Sequence, residues 1–296
     1  MRIFLIGATG QVARSLREAA ERDPDITLGV GRRPAVDLTE PASMYSALAV
    51  FRPDIVINPA AYTAVDKAET EPDLAFAVNR EGARNVAVAA AEHGAPIIHL
   101  STDYVFDGSK AGTYDEHDAA NPLGVYGRSK WEGERALAEV NPRHVILRTS
   151  WVYAPFGTNF VRTVVRLASE RDRLRVVDDQ WGCPTSAADI AEAVLTICRQ
   201  IVERGWRPQL TGVTHLAGPE AVTWCGFARR IVEGYAERGG RLVPVDPIAT
   251  RDYPTAAARP LNSRLSTERL QSVFGLQLPD LDSSLDRCLD RIAGNQ

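Results

Sequence analysis

The chain begins, at residues 2–13, with the stretch RIFLIGATGQVA, and this stretch decides how the first half folds. Residues 2–6 form an apolar run of strand length, and residues 14–20 have the composition of a helix. Gly7 permits a tight turn between them, and Gly10 lets the backbone approach a pyrophosphate at the helix N-terminus. With Ala13, the spacing Gly-x-x-Gly-x-x-Ala is a variant of the dinucleotide-binding fingerprint. We therefore predict a nucleotide-binding turn rather than a plain strand-to-helix connection.

Short apolar strands and helices continue to alternate along the first half. Because the strands are apolar on both faces, they are typical of a parallel sheet that is covered by helices on both sides. The sequence thus predicts an α/β fold with a Rossmann-type doubly wound parallel sheet. The further strands are predicted at 26–30, 54–58, 96–100 and 144–148, and the helices at 41–51 with Thr39 as N-cap, 72–93 and about 126–140.

Prolines interrupt the second half, where a helix at 187–202 and a short strand at 213–216 are the clearest elements. We expect both to return to the sheet. The predicted NAD(P)-binding Rossmann domain is residues 1–151 plus about 186–218. A smaller C-terminal α/β domain, about 152–185 plus 219–296, is predicted to bind the substrate as a lid over the strand ends.

Composition excludes several classes of protein. The 296 residues are 45% hydrophobic and 24% charged, with a net charge of −4 and no basic block, so we expect no nucleic-acid partner. No apolar run reaches about 18 residues, and we expect no membrane association. The chain enters its first strand directly and its four cysteines are scattered, which favours a reduced, cytoplasmic protein. Neither histidines nor cysteines have metal-ligand spacing, so no metal is expected.

Tyr126 and Lys130 are four residues apart on a predicted helix and therefore share one face. An unperturbed tyrosine has a pKa of about 10 and is a poor acid at neutral pH. A neighbouring ammonium favours the phenolate and lowers that pKa. The pair is a candidate for proton transfer, although this spacing also occurs by chance on ordinary helix faces.

Seven motifs, spread over almost the whole chain, give a specific resemblance. Together they resemble the extended short-chain dehydrogenase/reductase superfamily and, within it, the dTDP-4-dehydrorhamnose reductase family. The motifs lie at residues 7–12, 58–69, 101–108, 126–130, 148–153, 179–185 and 259–263.

The resemblance implies a reaction and three catalytic residues. A 4-keto-6-deoxy sugar carried on dTDP would be reduced to dTDP-L-rhamnose, with hydride from a nicotinamide cofactor. Tyr126 would give the proton, and Lys130 would lower the pKa of Tyr126 and hold the nicotinamide ribose. Thr102 would donate a hydrogen bond to the reacting oxygen.

The resemblance also implies the sugar contacts. Dehydratases of the superfamily carry Thr-Asp-Glu where this chain has Thr102-Asp103-Tyr104, and the missing carboxylate argues against dehydration. Substrate contacts are expected from Thr102, Asp103, Tyr104, Val105 and Trp151, and dTDP contacts from Asn159 and Arg259.

Two arginines, Arg32 and Arg33, follow the second strand, where a carboxylate would select NADH. A guanidinium suits a 2′-phosphate, so NADPH is expected, with NADH as the alternative. Asp37 and Leu38 resemble the family's adenine-proximal pair. The remaining cofactor contacts are expected from Gly7, Thr9, Gly10, Gln11, Val12, Ala60, Ala61, Thr63, Tyr126 and Lys130.

Two other functions remain open at this point. The first is reduction of another nucleotide-linked 4-keto sugar. The second is a role as a non-catalytic NAD(P)-binding regulatory subunit, although such subunits often lose the tyrosine or the lysine. The oligomeric state is open between monomer and homodimer. Some family members dimerise through glutamates that hold a metal, and Ser15 replaces one of these.

Overall fold

A computed structural model describes residues 1–294 of the chain. Six of its strands form one parallel sheet in the order β10-β5-β4-β3-β1-β2. The strands of the chain are β1 Arg2–Ile6, β2 Thr27–Gly31, β3 Ile55–Asn58, β4 Ile97–Thr102, β5 His144–Thr149, β6 Val152–Tyr153, β7 Leu174–Val177, β8 Trp181–Gly182, β9 Thr185–Ser186, β10 Gly212–His215, β11 Val222–Thr223 and β12 Val245–Ile248. The strand predicted at 213–216 thus returns to the sheet beside β5.

Helices cover both faces of this sheet, as the apolar strands predict. Along β1, Ile3 and Leu5 face one apolar cluster, whereas Phe4 and Ile6 face another, because side chains alternate along a strand. The first cluster includes side chains of two helices, α1 and α8, and the second includes side chains of α2, α5 and α6. The doubly wound α/β prediction is therefore confirmed. The helices are α1 Gln11–Glu21, α2 Pro41–Phe51, α3 Val65–Ala68, α4 Pro72–Phe76, α5 Gly82–Glu92, α6 Val125–Val140, α7 Phe160–Glu170, α8 Ala187–Arg204, α9 Trp224–Glu237, α10 Glu268–Phe274 and α11 Leu281–Ala293.

The long helix predicted at 72–93 is interrupted. A π-helical turn, Ala77–Glu81, separates α4 from α5. At this turn the backbone comes so close to α6 that a Cβ atom on Gly133 would lie 2.0 Å from the Asn79 carbonyl oxygen. The wider turn therefore accommodates a close backbone contact with α6, and π-turns are frequent at functional sites.

Thr39 does not cap α2, contrary to the prediction. The N-cap residue is Glu40, which gives no side-chain cap. Thr39 instead donates its Oγ1 hydroxyl and its backbone N–H to Asp37 Oδ1, at 2.8 and 2.9 Å. Because the Thr39 hydroxyl is bonded to Asp37 in this local Asx turn, it is not available to cap the helix.

A second apolar core lies in the C-terminal half of the chain. It is built from side chains of α7, α9 and α11 together with β7 and β12, which pair in parallel. The division into two domains stays a prediction, but the packing of α10 differs from it. Leu270 and Phe274 of α10 belong to the same cluster as the sheet side chains, although residues 219–296 were assigned to the smaller domain. Burial of these two side chains against the sheet accounts for the difference.

The four cysteines, Cys183, Cys198, Cys225 and Cys288, are buried as free thiols. Burial raises the pKa of the Cys183 thiol to about 11, which keeps it unreactive near neutral pH. Across residues 1–294, no helix has both the length and the apolar composition that a bilayer crossing requires.

Gly133→Ala tests the contact between α6 and the π-turn. The added methyl group would meet the Asn79 carbonyl oxygen, so one backbone has to move, and we expect a loss of about 1–3 kcal/mol in the free energy of unfolding by urea. Gly112→Ala is the matched control, because a Cβ there meets no atom within 4 Å, and it should cost less than about 0.5 kcal/mol. Equal stability of the two variants would contradict this packing.

Candidate active site

The predicted catalytic residues meet at the carboxyl edge of the sheet. Thr102 is the last residue of β4, and Tyr126 and Lys130 lie on α6, which packs on that strand. All three side chains are buried, with exposed fractions of 6% for Thr102, 9% for Tyr126 and 2% for Lys130. The i, i+4 spacing thus places the phenol and the amine on the buried face of α6.

Thr102 is held by hydrogen bonds on both sides. Its Oγ1 hydroxyl donates to Asp103 Oδ1 at 3.0 Å and accepts the Tyr104 N–H at 3.2 Å. The second carboxylate oxygen of Asp103 accepts the Ser150 hydroxyl at 2.9 Å. A hydrogen bond with Thr102 also lowers the pKa of Tyr126. The tyrosine therefore begins a buried chain of oxygen atoms that ends at β5.

The structure does not show the expected lowering of the Tyr126 pKa by Lys130. Burial raises the pKa of Tyr126 to about 12, and the Thr102 hydrogen bond offsets only part of that shift. Lys130 Nζ is directed to β4 instead, where it donates to the Leu100 carbonyl at 2.7 Å and lies 3.2 Å from His99 Nε2. Tyr126 is therefore a protonated phenol throughout the neutral range.

Burial lowers the pKa of Lys130 to about 8, and the charge of Glu134 opposes that shift. Glu134 is one turn further along α6 and forms a bidentate ion pair with Arg148 of β5, at 3.0 and 2.7 Å. Ser101 also donates a short hydrogen bond to this carboxylate. Because Arg148 neutralises Glu134, the carboxylate only partly compensates for the desolvation of the amine.

Two residues that the sequence analysis did not single out fix the position of α6. Glu69 Oε1 accepts the Val125 N–H at 2.8 Å and so satisfies a free donor in the first turn of the helix. Asn79, in the π-turn, donates to Ser129 Oγ at 2.9 Å and accepts the Tyr62 N–H at 2.8 Å. Asn79 therefore connects the loop after β3 to the turn between Tyr126 and Lys130.

The glycine turn after β1 has the shape that the motif predicts. Gly7 has φ +91, and its N–H donates to the Gly31 carbonyl at 2.7 Å. Gly10 is the N-cap of α1 and gives no side-chain cap, and a Cβ on it would meet no atom within 4 Å. Open space thus faces the uncapped N-terminal N–H groups of an 11-residue helix, an arrangement that fits a pyrophosphate.

The other predicted cofactor residues follow neighbouring strands at the same edge. Ala60 packs against Gly7, where an added Cβ would come within 3.3 Å of it. Within residues 1–294, neither Arg32 nor Arg33 makes a side-chain hydrogen bond or ion pair, and both are exposed. Leu38 packs over Gly82 at the start of α5. The remaining predicted cofactor residues are Thr9, Gln11, Val12, Asp37, Ala61 and Thr63.

Comparison with known proteins agrees with this geometry. The family model described as "RmlD substrate binding domain" matches residues 1–293. The chain belongs to the RmlD substrate binding domain family. A dTDP-4-dehydrorhamnose reductase of Sinorhizobium fredii is 49% identical over 288 residues, which are 97% of this chain and 96% of the relative.

Two solved structures share the fold over their whole length. A dTDP-4-dehydrorhamnose reductase of Clostridium acetobutylicum is 34% identical, with a TM-score of 0.90 and coverage of 98% of this chain and 99% of that one. A Bacillus anthracis dTDP-4-dehydrorhamnose reductase in complex with NADP is 36% identical, with a TM-score of 0.88 and 98% of each chain covered.

On the predicted sugar side of this RmlD-family chain, an aromatic and a basic residue adjoin Tyr126. The Tyr104 ring meets the Tyr126 ring edge-on, with 5.7 Å between centroids. The Arg259 guanidinium lies 5.8 Å from the Tyr104 ring and forms an ion pair with Asp66 at 2.8 Å. The structure therefore brings Arg259, distant in sequence, next to Tyr104, whose ring meets that of Tyr126.

Trp151 follows β5 in a left-handed backbone conformation, φ +47, which is rare for a bulky residue. Its indole stacks on Trp224 with 3.4 Å between centroids and lies directly over Gly182, where a Cβ would come within 2.3 Å of the ring. Backbone strain of this kind is often retained at functional sites. Sequence analysis did not single out Trp224, because Trp151 becomes its neighbour only in the folded chain.

Three predicted substrate residues have other roles in the structure. Val105 is fully buried beside Phe106, so its side chain is not available to a sugar. Asn159 is the N-cap of α7, and its amide also donates to Gln11 Oε1 at 2.8 Å. Asp103 is 2% exposed and bonds Thr102 and Ser150. Short turns direct these polar and apolar side chains inward, which spacing alone does not reveal.

Within residues 1–294, no group of three or more histidine, cysteine, aspartate or glutamate side chains is arranged to hold a metal ion. Ser15, at the position of the family glutamate, is buried on α1 with an exposed fraction of 5%.

Lys130→Met tests the desolvated amine through the pH dependence of stability. With a folded-state pKa of about 8 and an unfolded pKa of about 10.4, the unfolded chain binds more protons between these values. The free energy of unfolding of wild type should therefore rise, relative to Lys130→Met, by up to about 3 kcal/mol from pH 8 to 10.5. Urea unfolding at several pH values measures this rise.

Lys110→Met is the control for that titration. Lys110 is partly exposed, and its pKa is raised by its hydrogen bond to Asp118. A raised pKa gives stability that is lost at high pH, so the stability of wild type should show no corresponding rise relative to Lys110→Met. Parallel pH profiles for wild type and Lys130→Met would contradict the burial effect.

Proposed function

We propose that this chain reduces dTDP-4-dehydro-L-rhamnose to dTDP-L-rhamnose, with NADPH as the reductant and Tyr126 as the proton donor. The observation that carries the proposal is the burial of Tyr126, Lys130 and Thr102 at the same sheet edge as an uncapped, glycine-lined helix N-terminus. Membership of the RmlD family and the names of its relatives support the substrate. The enzyme is thus an NAD(P)H-dependent oxidoreductase of dTDP-rhamnose biosynthesis.

The reaction divides between the cofactor and the side chains of the chain. A bound nicotinamide supplies a hydride to C4 of the sugar. Tyr126 gives its phenolic proton to the ketone oxygen, which becomes the 4-hydroxyl group, and the phenolate regains one proton from solvent. Thr102 donates a hydrogen bond to the same oxygen and shares the negative charge of the transition state.

The raised pKa of Tyr126 suits the direction of reduction. A proton donor has to be protonated before the reaction, and at a pKa of about 12 the phenol holds its proton at neutral pH. The Thr102 hydrogen bond lowers the pKa of Tyr126, and so favours release of the proton. A Lys130 ammonium would stabilise the phenolate after that release.

The residues of the first domain fit a dinucleotide. The N-terminus of α1, with Gly7, Thr9, Gly10, Gln11 and Val12, would hold the pyrophosphate. Arg32 and Arg33 are exposed and have no side-chain partner among the described residues, so they are free to bind a 2′-phosphate. NADPH is therefore the proposed cofactor, with NADH as the alternative, and the Bacillus anthracis relative is a complex with NADP.

The remaining contacts are proposed for the sugar nucleotide. Tyr104 presents aromatic surface beside Tyr126, Trp151 presents its ring beside Trp224, and Arg259 supplies a cation for the diphosphate. Residues 1–151 plus about 186–218 would bind the cofactor, and about 152–185 plus 219–296, without α10, would bind the nucleotide sugar.

Tyr126→Phe should abolish reduction while leaving cofactor binding intact. Removal of a general acid costs about 100-fold or more in kcat. The measurement is loss of NADPH absorbance with dTDP-4-dehydro-L-rhamnose, alongside NADPH binding by fluorescence. Tyr45→Phe is the control, since it removes a phenol on α2 that bonds Glu92 at 3.4 Å and has no part in the proposed site, and it should keep most of the activity. Wild type that binds NADPH but reduces no 4-keto sugar nucleotide would favour the regulatory alternative.

Replacing both Arg32 and Arg33 by Ala tests the cofactor assignment. The loss of charge-assisted bonds to a 2′-phosphate should weaken NADPH binding about 10-fold or more and leave NADH binding unchanged. Arg204→Ala, an exposed arginine at the end of α8, is the control and should change neither affinity. Equal losses for both cofactors would rule out recognition of the 2′-phosphate.

A further inference from the structure

Three buried polar side chains form a line from β3 through β4 to α6. Asn58 and His99 are partners in the register of the two strands, and Lys130 lies above His99. Their exposed fractions are 0%, 1% and 2%. Asn58 Nδ2 lies 3.2 Å from His99 Nδ1, and His99 Nε2 lies 3.2 Å from Lys130 Nζ. Neither Asn58 nor His99 has a part in the reaction described above.

The backbone fixes the orientation of Asn58. The Ala60 N–H donates to Asn58 Oδ1 at 3.2 Å, so the amide nitrogen has to face His99. An amide nitrogen is only a donor, and His99 Nδ1 therefore accepts. Burial lowers the pKa of His99 well below its ordinary value, so the ring is neutral. Its single proton is consequently on Nε2.

This tautomer of His99 determines which protonation state of Lys130 can be satisfied by hydrogen bonds. A donor at His99 Nε2 faces Lys130 Nζ, and an ammonium group has three donors and no acceptor. Two opposed donors in a buried site would leave an N–H group unsatisfied, which is costly. A neutral amine has a lone pair for the His99 proton and still donates to the Leu100 carbonyl at 2.7 Å.

We infer that His99, oriented by Asn58, is a positioning residue that favours the neutral amine form of Lys130 in the cofactor-free protein. The importance of this inference rests on the proposed function, in which Lys130 assists the proton transfer by Tyr126. An amine whose ionisation is tuned in this way can change its charge near neutral pH, which an arginine cannot.

The other ionisable groups near Lys130 do not remove this effect. On its own helix, Glu134 favours the ammonium, but that carboxylate is paired with Arg148 of β5 and bonded by Ser101 of β4. Tyr126 is a neutral phenol, and Asp103 acts on Tyr126 rather than on the amine. From the π-turn, Asn79 contributes a neutral amide. Burial lowers the pKa of Lys130 in the same direction as His99.

The composition of the chain makes a direct test simple. The sequence has three lysines, Lys67, Lys110 and Lys130, so cofactor-free protein labelled with [ε-¹³C]lysine gives three titrating signals. Lys130→Arg assigns the buried one. We expect the Lys130 signal to change at a pH at least about two units below that of Lys110. Ring ¹⁵N shifts should place the His99 proton on Nε2. Titration of Lys130 together with Lys110, or a proton on His99 Nδ1, would overturn the inference.

Two variants distinguish an effect of His99 on the pKa of Lys130 from an effect of His99 on packing. His99→Gln can turn an amide oxygen to Lys130, and Asn58→Asp accepts from His99 Nδ1 and reverses the tautomer. Each should raise the pKa of Lys130 by about one unit or more. His144→Gln, another buried histidine that bonds only the Asn141 carbonyl, is the control and should leave the Lys130 signal in place. An unchanged Lys130 titration in folded His99→Gln or Asn58→Asp would refute the role of His99.

The wild-type titration decides the question even where a variant does not fold. It also needs no substrate, so its outcome is independent of the proposed function. If wild type reduces no 4-keto sugar nucleotide, the proposed function is wrong while the lysine titration stands. If wild type is active but Lys130 titrates like a surface lysine, only the inference fails.

Discussion

The close approach of α6 to its neighbours is the constraint on which the candidate active site depends. A Cβ on Gly127 would lie 2.1 Å from the Tyr104 carbonyl oxygen, and one on Gly133 would lie 2.0 Å from the Asn79 carbonyl oxygen. Any side chain at either position would break the close contact of the helix with the turn after β4 or with the π-turn. Without that contact, Tyr126 and Lys130 would be hydrated, and their pKa values would return to the ordinary range. Two glycines therefore set the distances on which the proton chemistry relies.

Desolvation and hydrogen bonding act in opposite directions along this helix face. Burial favours the neutral phenol of Tyr126 and the neutral amine of Lys130, whereas Thr102 and Glu134 favour the charged forms. The net result is a neutral phenol beside an amine with a pKa of about 8, at the point where a ketone oxygen would gain negative charge. A site of this kind stabilises a transition state better than a hydrated one, because few solvent dipoles have to reorganise. Each pKa unit corresponds to about 1.4 kcal/mol, so the balance has a direct effect on rate.

The sequence predicted the sheet and the glycine turn because both are local. Apolar runs such as residues 2–6 are buried on two faces, and Gly7, with φ +91, is required by the turn itself. It missed the π-turn at Ala77–Glu81, since nothing in those residues disfavours an α-helix and the distortion comes from contact with α6. It placed Tyr126 and Lys130 on one face, but the direction of Lys130 Nζ depends on the distance to β4. Glu69 and Trp224 likewise act through partners distant in sequence.

The Arg259–Asp66 ion pair has a consequence for how a ligand enters. It joins the segment after residue 257 to α3 across the site, and its side chains are 18% and 49% exposed. A partly hydrated pair of this kind contributes about 1 kcal/mol or less and weakens with salt. Thermal motion therefore breaks this ion pair readily. The diphosphate proposed as the ligand of Arg259 carries more charge than one carboxylate, so it would compete with Asp66 for the guanidinium.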